Sequence, residues 1–152
     1  MKLYLLRHGE AEPYCDQDET RQLTPSGREH LVRVLAQKAQ GLTRPDAVWV
    51  SPYVRTQQTA DIVKQTLSLP AKIFYKTNAV TPGASVATMI EKMQSSPFET
   101  LMLITHQPFL GQLFDTLGGF ERGRYVFGTS AFACLTMDVA ASGCAEFNWM
   151  VQ

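Results

Sequence analysis

Net charge is the first thing this sequence lacks: 14 lysines and arginines balance 14 aspartates and glutamates. No whole-molecule field draws in nucleic acid or an anionic membrane, so any anion site must be a local cluster of arginine. Cysteine is scarce too. Cys15, Cys134 and Cys144 are odd in number, widely spaced and form no Cys-x-x-Cys, which argues against a disulfide framework. They read as free thiols in a reducing cytosol, Cys15 in a polar loop and the other two as core or sheet residues in late strand-like segments. Long hydrophobic runs are missing: none approaches the roughly 18 apolar residues of a membrane span. The run behind Met1-Lys2 is too short for a signal-peptide core. A cytoplasmic location is expected, with no membrane or nucleic-acid partner. Repeats, low-complexity tracts and linkers are absent, so residues 1–152 are expected to form one domain with a full core.

What is present is an alternation of short apolar runs and helical patterns, which predicts an α/β fold with a mainly parallel sheet. Lys2–Leu6, Asp46–Val50, Ala71–Tyr75 and Leu101–Ile104 read as strands. Thr24-Pro25 opens a helix, Thr as N-cap and Pro at the first helical position. Leu31, Leu35, Ala39 and Leu42 supply its core stripe, and Gly41 and Pro45 close it. A second helix runs to about Leu67 with Thr59, Ala60 and Val63 on one side. Thr77–Ser85 reads as loop. Val86, Met89, Ile90 and Met93 mark a third helix, and Phe109 to Leu117 a fourth, stopped by Gly118-Gly119. Ala131–Met137 and Glu146–Met150 read as closing strands paired across Ala141-Ser142-Gly143.

Three strand ends carry chemistry. Arg7-His8-Gly9 follows Leu3–Leu6, Ser51-Pro52-Tyr53-Val54-Arg55 follows Ala47–Val50, and Thr105-His106 follows Leu101–Ile104. Ligands of open α/β sheets sit outside the carboxyl ends of the strands, which is where these residues fall. Bidentate guanidinium matches the equatorial oxygens of a transferring phosphoryl group and cannot lose its charge. A neutral imidazole can attack phosphorus, and nearby guanidiniums favour that neutral form. The pattern therefore points to phosphoryl transfer, with His8 as nucleophile, Arg7 and Arg55 on the phosphate, and His106 as a second donor. Metal chemistry does not fit two histidines beside two arginines without paired carboxylates or thiolates, and no metal or cofactor is expected. His30, among Arg28, Glu29 and Arg33, reads as solvent-facing and uninvolved.

These residues resemble the histidine phosphatase (phosphoglycerate-mutase-like) superfamily: its Arg-His-Gly signature at Arg7-His8-Gly9, its Ser-Pro-x-x-Arg element at Ser51–Arg55, its late histidine at His106. Within it the chain looks most like the SixA-type phosphohistidine phosphatases, through Arg21-Gln22-Leu23-Thr24, Leu69-Pro70, Thr81-Pro82-Gly83, Thr129-Ser130-Ala131 and Phe147-Asn148-Trp149. The resemblance implies a three-layer αβα sandwich and a covalent phosphohistidine at His8. Arg7, Arg55 and His106 would form the phosphate pocket, and Arg21 would add a contact from the loop before the first helix. It also implies a phosphorylated protein substrate, such as a histidine-phosphotransfer domain in a signalling relay. The protein is expected to act as a monomer.

One departure matters. Many superfamily members carry a general-acid carboxylate in the region matched by Thr77–Ser85, where this chain has none. An alkoxide leaving group benefits strongly from such a donor, whereas a phosphohistidine leaves as an imidazole that can be protonated beforehand. Glu10 and Glu12 in the first loop remain possible donors. The alternatives are a small-molecule phosphomonoesterase or mutase using the same His8 intermediate, and a non-catalytic phospho-ligand binding module.

Overall fold

The apolar runs pair into one six-stranded sheet in the computed structural model, which describes residues 1–152. The strands are β1 (Lys2–Arg7), β2 (Ala47–Val50), β3 (Phe74–Lys76), β4 (Thr100–Thr105), β5 (Phe132–Met137) and β6 (Ala145–Val151). Helices α1 (Pro25–Ala39), α2 (Val54–Thr66), α3 (Val86–Gln94) and α4 (Phe109–Gly118) make the connections up to β5. Strand order is β3-β2-β4-β1-β5-β6. β1, β2, β3 and β4 run parallel, and β5 and β6 close the sheet antiparallel.

Period-two alternation sorts the strand side chains onto two cores. Leu3, Leu5, Ala47, Trp49, Leu101 and Leu103 face α3 and α4, where Met89, Met93, Leu110 and Phe114 meet them. Tyr4, Leu6, Val48, Val50, Met102 and Ile104 face α1 and α2, against Leu31, Leu35, Ala60 and Val63. The central strands β1 and β4 are thus covered on both faces, as a parallel sheet requires, and the expected αβα sandwich is what forms. The expected caps form as well. Thr24 Oγ1 accepts the Gly27 amide at 3.0 Å, with Pro25 in the first turn, and Gly119 ends α4 in the left-handed region at φ 63°.

Five local expectations fail. Ala71–Ile73 is a 3₁₀ turn after Pro70, and only Phe74–Lys76 is strand. Edge strand β3 can pair only with Val48–Val50 of the four-residue β2, so the extended segment is short. Within Thr77–Ser85, Asn78–Val80 winds another 3₁₀ turn. Ala39 is exposed and Val34 takes its place in the core: a strict four-residue step drifts about 40° per turn on a 3.6-residue helix. Cys144 is exposed in the turn ahead of β6, whereas Cys134 is buried. His30 is half-buried, not fully solvent-facing.

Helix α1 presses on the segment that follows β1. A Cβ on Gly27 would collide with the carbonyl of Glu10 and come within 2.9 Å of its Cβ. Both are held by backbone and have little room to move. Gly27→Ala is expected to destabilise the fold by about 1–3 kcal/mol through overpacking, and to lower activity by displacing the Gly9-Glu10 segment. Denaturant midpoints and turnover of the variant check both effects.

Candidate active site

Strand register assembles the site. Arg7 lies opposite Thr105 in the parallel pair β1–β4. One residue further on, His8 and His106 emerge side by side with ring centroids 5.1 Å apart. Val50 lies opposite Ile104, so Ser51 arrives beside His106. β1 continues into α1 on one face and β4 into α4 on the other, which opens a crevice at their carboxyl ends. The first turn of α2 adds Arg55 and the positive end of its helix dipole.

A hydrogen bond fixes the His8 tautomer, and another anchors the His106 ring. His8 Nδ1 lies 2.7 Å from the Gly9 carbonyl, which can only accept, so Nδ1 carries the proton. Arg55 Nε donates to His8 Nε2 at 3.2 Å, which identifies the lone pair from the other side. His106 Nε2 lies 2.7 Å from Ser51 Oγ. That oxygen also receives the Tyr53 amide at 3.5 Å, and its own hydrogen is free to go to His106 Nε2. With Ser51 donating to Nε2, the His106 proton sits on Nδ1, which is buried and without a partner. A buried donor left unpaired costs about 1–3 kcal/mol, and an anion oxygen would remove that cost.

The guanidiniums are held by loop backbone. Arg7 NH1 donates to the Phe127 carbonyl at 2.7 Å, and its buried Nε has no partner. Arg21 donates from Nε to Asp18 Oδ1 at 2.8 Å and from NH1 to the Glu12 carbonyl at 2.7 Å. Arg55, only 3% exposed, donates to the Asp18 carbonyl at 2.6 Å and to Asp18 Oδ2 at 2.9 Å. The Tyr53 ring packs 4.9 Å from the Arg55 guanidinium and 4.9 Å from the His106 ring. The five expected residues, Arg7, His8, Arg21, Arg55 and His106, are thus brought together.

Sequence reasoning missed three supporting groups. Asp18 bridges Arg21 and Arg55, and three guanidiniums against one carboxylate leave the cluster at +2 in a chain of net charge zero. Burial acts to raise the Asp18 pKa, but the hydrogen bond and charge of Arg55, with those of Arg21, outweigh it and hold the carboxyl below its ordinary value. Thr59 Oγ1 accepts the Gly9 amide at 3.2 Å and donates to the Arg55 carbonyl at 2.7 Å, tying β1 to α2. Ser51 holds the His106 ring through Nε2 at 2.7 Å. The Ser-Pro-x-x-Arg element marks Ser51 but not its contact with His106, and nothing in the spacing marks Asp18 in its loop or Thr59 within α2.

Glu10 and Glu12 point their carboxylates elsewhere. Glu10 Oε1 accepts from Thr24 Oγ1 at 2.8 Å and Ser26 Oγ at 3.2 Å, at the start of α1. Glu12 Oε2 accepts the Gln22 amide at 3.1 Å. The acid-free segment Thr77–Ser85 adjoins the site, since Thr105 Oγ1 donates to the Val80 carbonyl at 2.6 Å. No group of three or more His, Cys, Asp or Glu gathers to hold a metal, and no helix is long and apolar enough to cross a membrane.

Burial foremost, and then Arg55, Arg7 and Arg21, push the His8 pKa down to about 3, against a bond to Gly9 that raises it. Burial, His8 and the same arginines push His106 to about 2. Both rings are neutral at pH 7. In the unfolded chain they take up protons near pH 6.5, so below that pH the unfolded state binds protons that the folded state refuses. Stability therefore falls as pH drops from about 6.5 toward 3. The expected loss between pH 7 and pH 4 is on the order of 3 kcal/mol or more. Denaturant midpoints at the two pH values check it, with a smaller loss expected in His106→Asn.

Residues 3–76 match the model of the histidine phosphatase superfamily (branch 1). This chain belongs to the histidine phosphatase superfamily. Its likeness to individual members extends over the whole length. The phosphohistidine phosphatase SixA of Escherichia coli (strain K12) is 29% identical over 155 residues, covering 100% of this chain and 94% of that protein. The solved structure of the protein histidine phosphatase SixA complexed with tungstate superposes with a TM-score of 0.85 at 28% identity, over 100% of this chain and 97% of that one. The alpha-ribazole phosphatase of Shigella flexneri shares the fold, with a TM-score of 0.76 at 15% identity over 100% and 96% of the chains. The histidine phosphatase fold thus serves more than one class of substrate, and the site must decide between them.

Proposed function

We propose that this histidine phosphatase removes phosphoryl groups from phosphohistidine on a partner protein, through a covalent phosphohistidine at His8. The observation that carries the reading is the His8 tautomer: Nδ1–H on the Gly9 carbonyl leaves the Nε2 lone pair at the guanidinium cluster. Arg7, Arg21 and Arg55, with the Nδ1–H of His106, bind the equatorial phosphoryl oxygens and stabilise their charge in the transition state. Arg55 then exchanges its bonds to His8 and Asp18 for bonds to the phosphoryl group.

His8 Nε2 forms the new N–P bond while the substrate P–N bond breaks. The substrate ring, protonated on its other nitrogen, leaves as neutral imidazole. Water then attacks the phosphoryl group. The N–P electron pair returns to Nε2, and His8 leaves neutral because Nδ1 kept its proton. The water proton ends on the released phosphate. Neither step needs a carboxylic acid, and the engagement of Glu10, Glu12 and Asp18 supports this substrate over an alkyl ester.

A histidine-phosphotransfer domain, or another phosphohistidine carrier, is the expected partner. Support comes from the rim. Tyr14 and Val126 are exposed at 78% and 76%, on the loops that hold Arg21 and Arg7, and they offer apolar contacts to a docking protein. A single-turnover reaction with labelled phosphohistidine protein tests the covalent step. The label is expected to pass through His8 Nε2 before appearing as free phosphate, and direct appearance as phosphate without a labelled enzyme would contradict it. Ser51→Ala removes the partner that orients His106 through Nε2 and is expected to lower kcat/KM by about 10–100-fold, as for loss of a partner that orients a catalytic imidazole. Steady-state kinetics beside an unchanged denaturant midpoint would check it.

A further inference from the structure

The site offers no group able to hand a proton to a departing oxygen. Glu10 is committed to Thr24 and Ser26, and Glu12 to the Gln22 amide. Asp18 is locked as a carboxylate between Arg21 and Arg55. Asp16 and Glu19 of the same loop are exposed. The Nδ1–H of His8 is held by the Gly9 carbonyl, and His106 is a neutral ring bonded to Ser51. Guanidiniums do not give up protons. The Tyr53 ring packs against the Arg55 guanidinium and edge-on to the His106 ring, and its hydroxyl makes no hydrogen bond within the chain to orient it. What the pocket does provide is a nucleophile and a cluster of +2 around the phosphoryl oxygens.

Resting on the reading of His8 as nucleophile, we propose that this pocket selects by leaving group, accepting acyl phosphates as well as phosphoramidates and discriminating against esters of poorly acidic alcohols. The leaving groups differ in what they need. A carboxylate departs as the conjugate base of an acid of pKa about 4, a phenolate of about 10, and an alkoxide of an alcohol resembling water at about 15.7. With an acyl phosphate, His8 Nε2 forms the N–P bond and the P–O bond breaks. The carboxylate leaves with the electron pair, and no proton moves. Water then cleaves the N–P bond of the phosphoenzyme and supplies the proton found on the phosphate. An alkyl phosphate must expel an alkoxide unaided, and that step limits it.

The purified full chain is given acetyl phosphate, a series of substituted phenyl phosphates and glycerol phosphate, with phosphate release measured beside the uncatalysed reaction. Acetyl phosphate is expected to be turned over, and the activity to vanish in His8→Ala. Across the phenols, the logarithm of kcat/KM is expected to fall by about 0.8 per unit of leaving-group pKa, as a metaphosphate-like transition state without proton donation requires. Glycerol phosphate should be at least about a thousandfold slower than acetyl phosphate, the scale of a missing general acid. Glu10→Gln, Glu12→Gln and Tyr53→Phe are expected to leave the slope where it is. A fall of less than about 0.3 per unit would show that the leaving oxygen receives a proton and would overturn the proposal. So would glycerol phosphate keeping pace with acetyl phosphate, or a slope that steepens in one of the three variants. If a phosphohistidine protein is turned over and acetyl phosphate is not, the leaving-group proposal falls and the phosphohistidine reading stands. The opposite pattern removes that reading and keeps the proposal.

Discussion

Arg55→Ala is expected to lower kcat/KM by about three to five orders of magnitude, the scale on which an arginine acts in phosphoryl transfer. The reasons lie in where its donors go. Arg55 is 3% exposed, so its charge acts where water screens it little. Its Nε reaches the His8 lone pair at 3.2 Å, and its two terminal nitrogens hold Asp18 at 2.6 Å and 2.9 Å. Alanine removes a phosphoryl ligand, the charge beside the nucleophile and half of the bridge that orders the Asp18 loop. Arg55→Lys should recover only part of the rate, because an ammonium cannot span His8 and Asp18 with a planar fork. Asp18→Asn separates the contributions. It keeps an acceptor for one guanidinium but loses the charge, so its loss of kcat/KM should be much smaller than that of Arg55→Ala. Steady-state kinetics of the three variants, with a fold check on each, would test this ranking.

His8→Ala is expected to abolish the phosphoenzyme and lower turnover by at least about 10⁴-fold, since a nucleophile that acts as part of a unit has no substitute in that unit. His106 is not placed to take over: its Nε2 is engaged by Ser51 Oγ at 2.7 Å. The variant should still bind phosphate-like anions, because Arg7, Arg21, Arg55 and the His106 donor remain. Inhibitor binding retained with turnover lost distinguishes a missing nucleophile from a collapsed pocket. Recovery of substantial turnover in His8→Ala would assign the attack elsewhere.

Much of this site could be read from the order of residues because strand ends are written locally. An apolar run that stops at Arg7-His8, or at Thr105-His106, places the next side chain at the carboxyl edge of a parallel sheet. The tight helix start at Thr24-Pro25 is local too. What stayed hidden depends on contacts between distant segments. Asp18 meets Arg55 across 37 residues, Thr59 meets Gly9 across 50, and Ser51 meets His106 across 55. Asp18 and Thr59 have no spacing that announces such a role, and the Ser-Pro-x-x-Arg element marks Ser51 without naming its partner. Glu10 looked available as a proton donor for the same reason: its neighbours in space, Thr24 and Ser26, lie a helix start away. In the fold, Ala71–Ile73 failed as strand because the partner strand is short, a property of β2 and not of the segment itself.

The central claim is a phosphohistidine phosphatase acting through His8, and one comparison tests it most directly. A phosphorylated histidine-phosphotransfer protein and a panel of small alkyl phosphomonoesters are presented to the wild type and to His8→Ala under the same conditions. The account predicts a strong preference for the phosphoprotein that disappears in His8→Ala. Faster turnover of a small alkyl phosphate, or phosphoprotein turnover that survives the loss of His8, would contradict it.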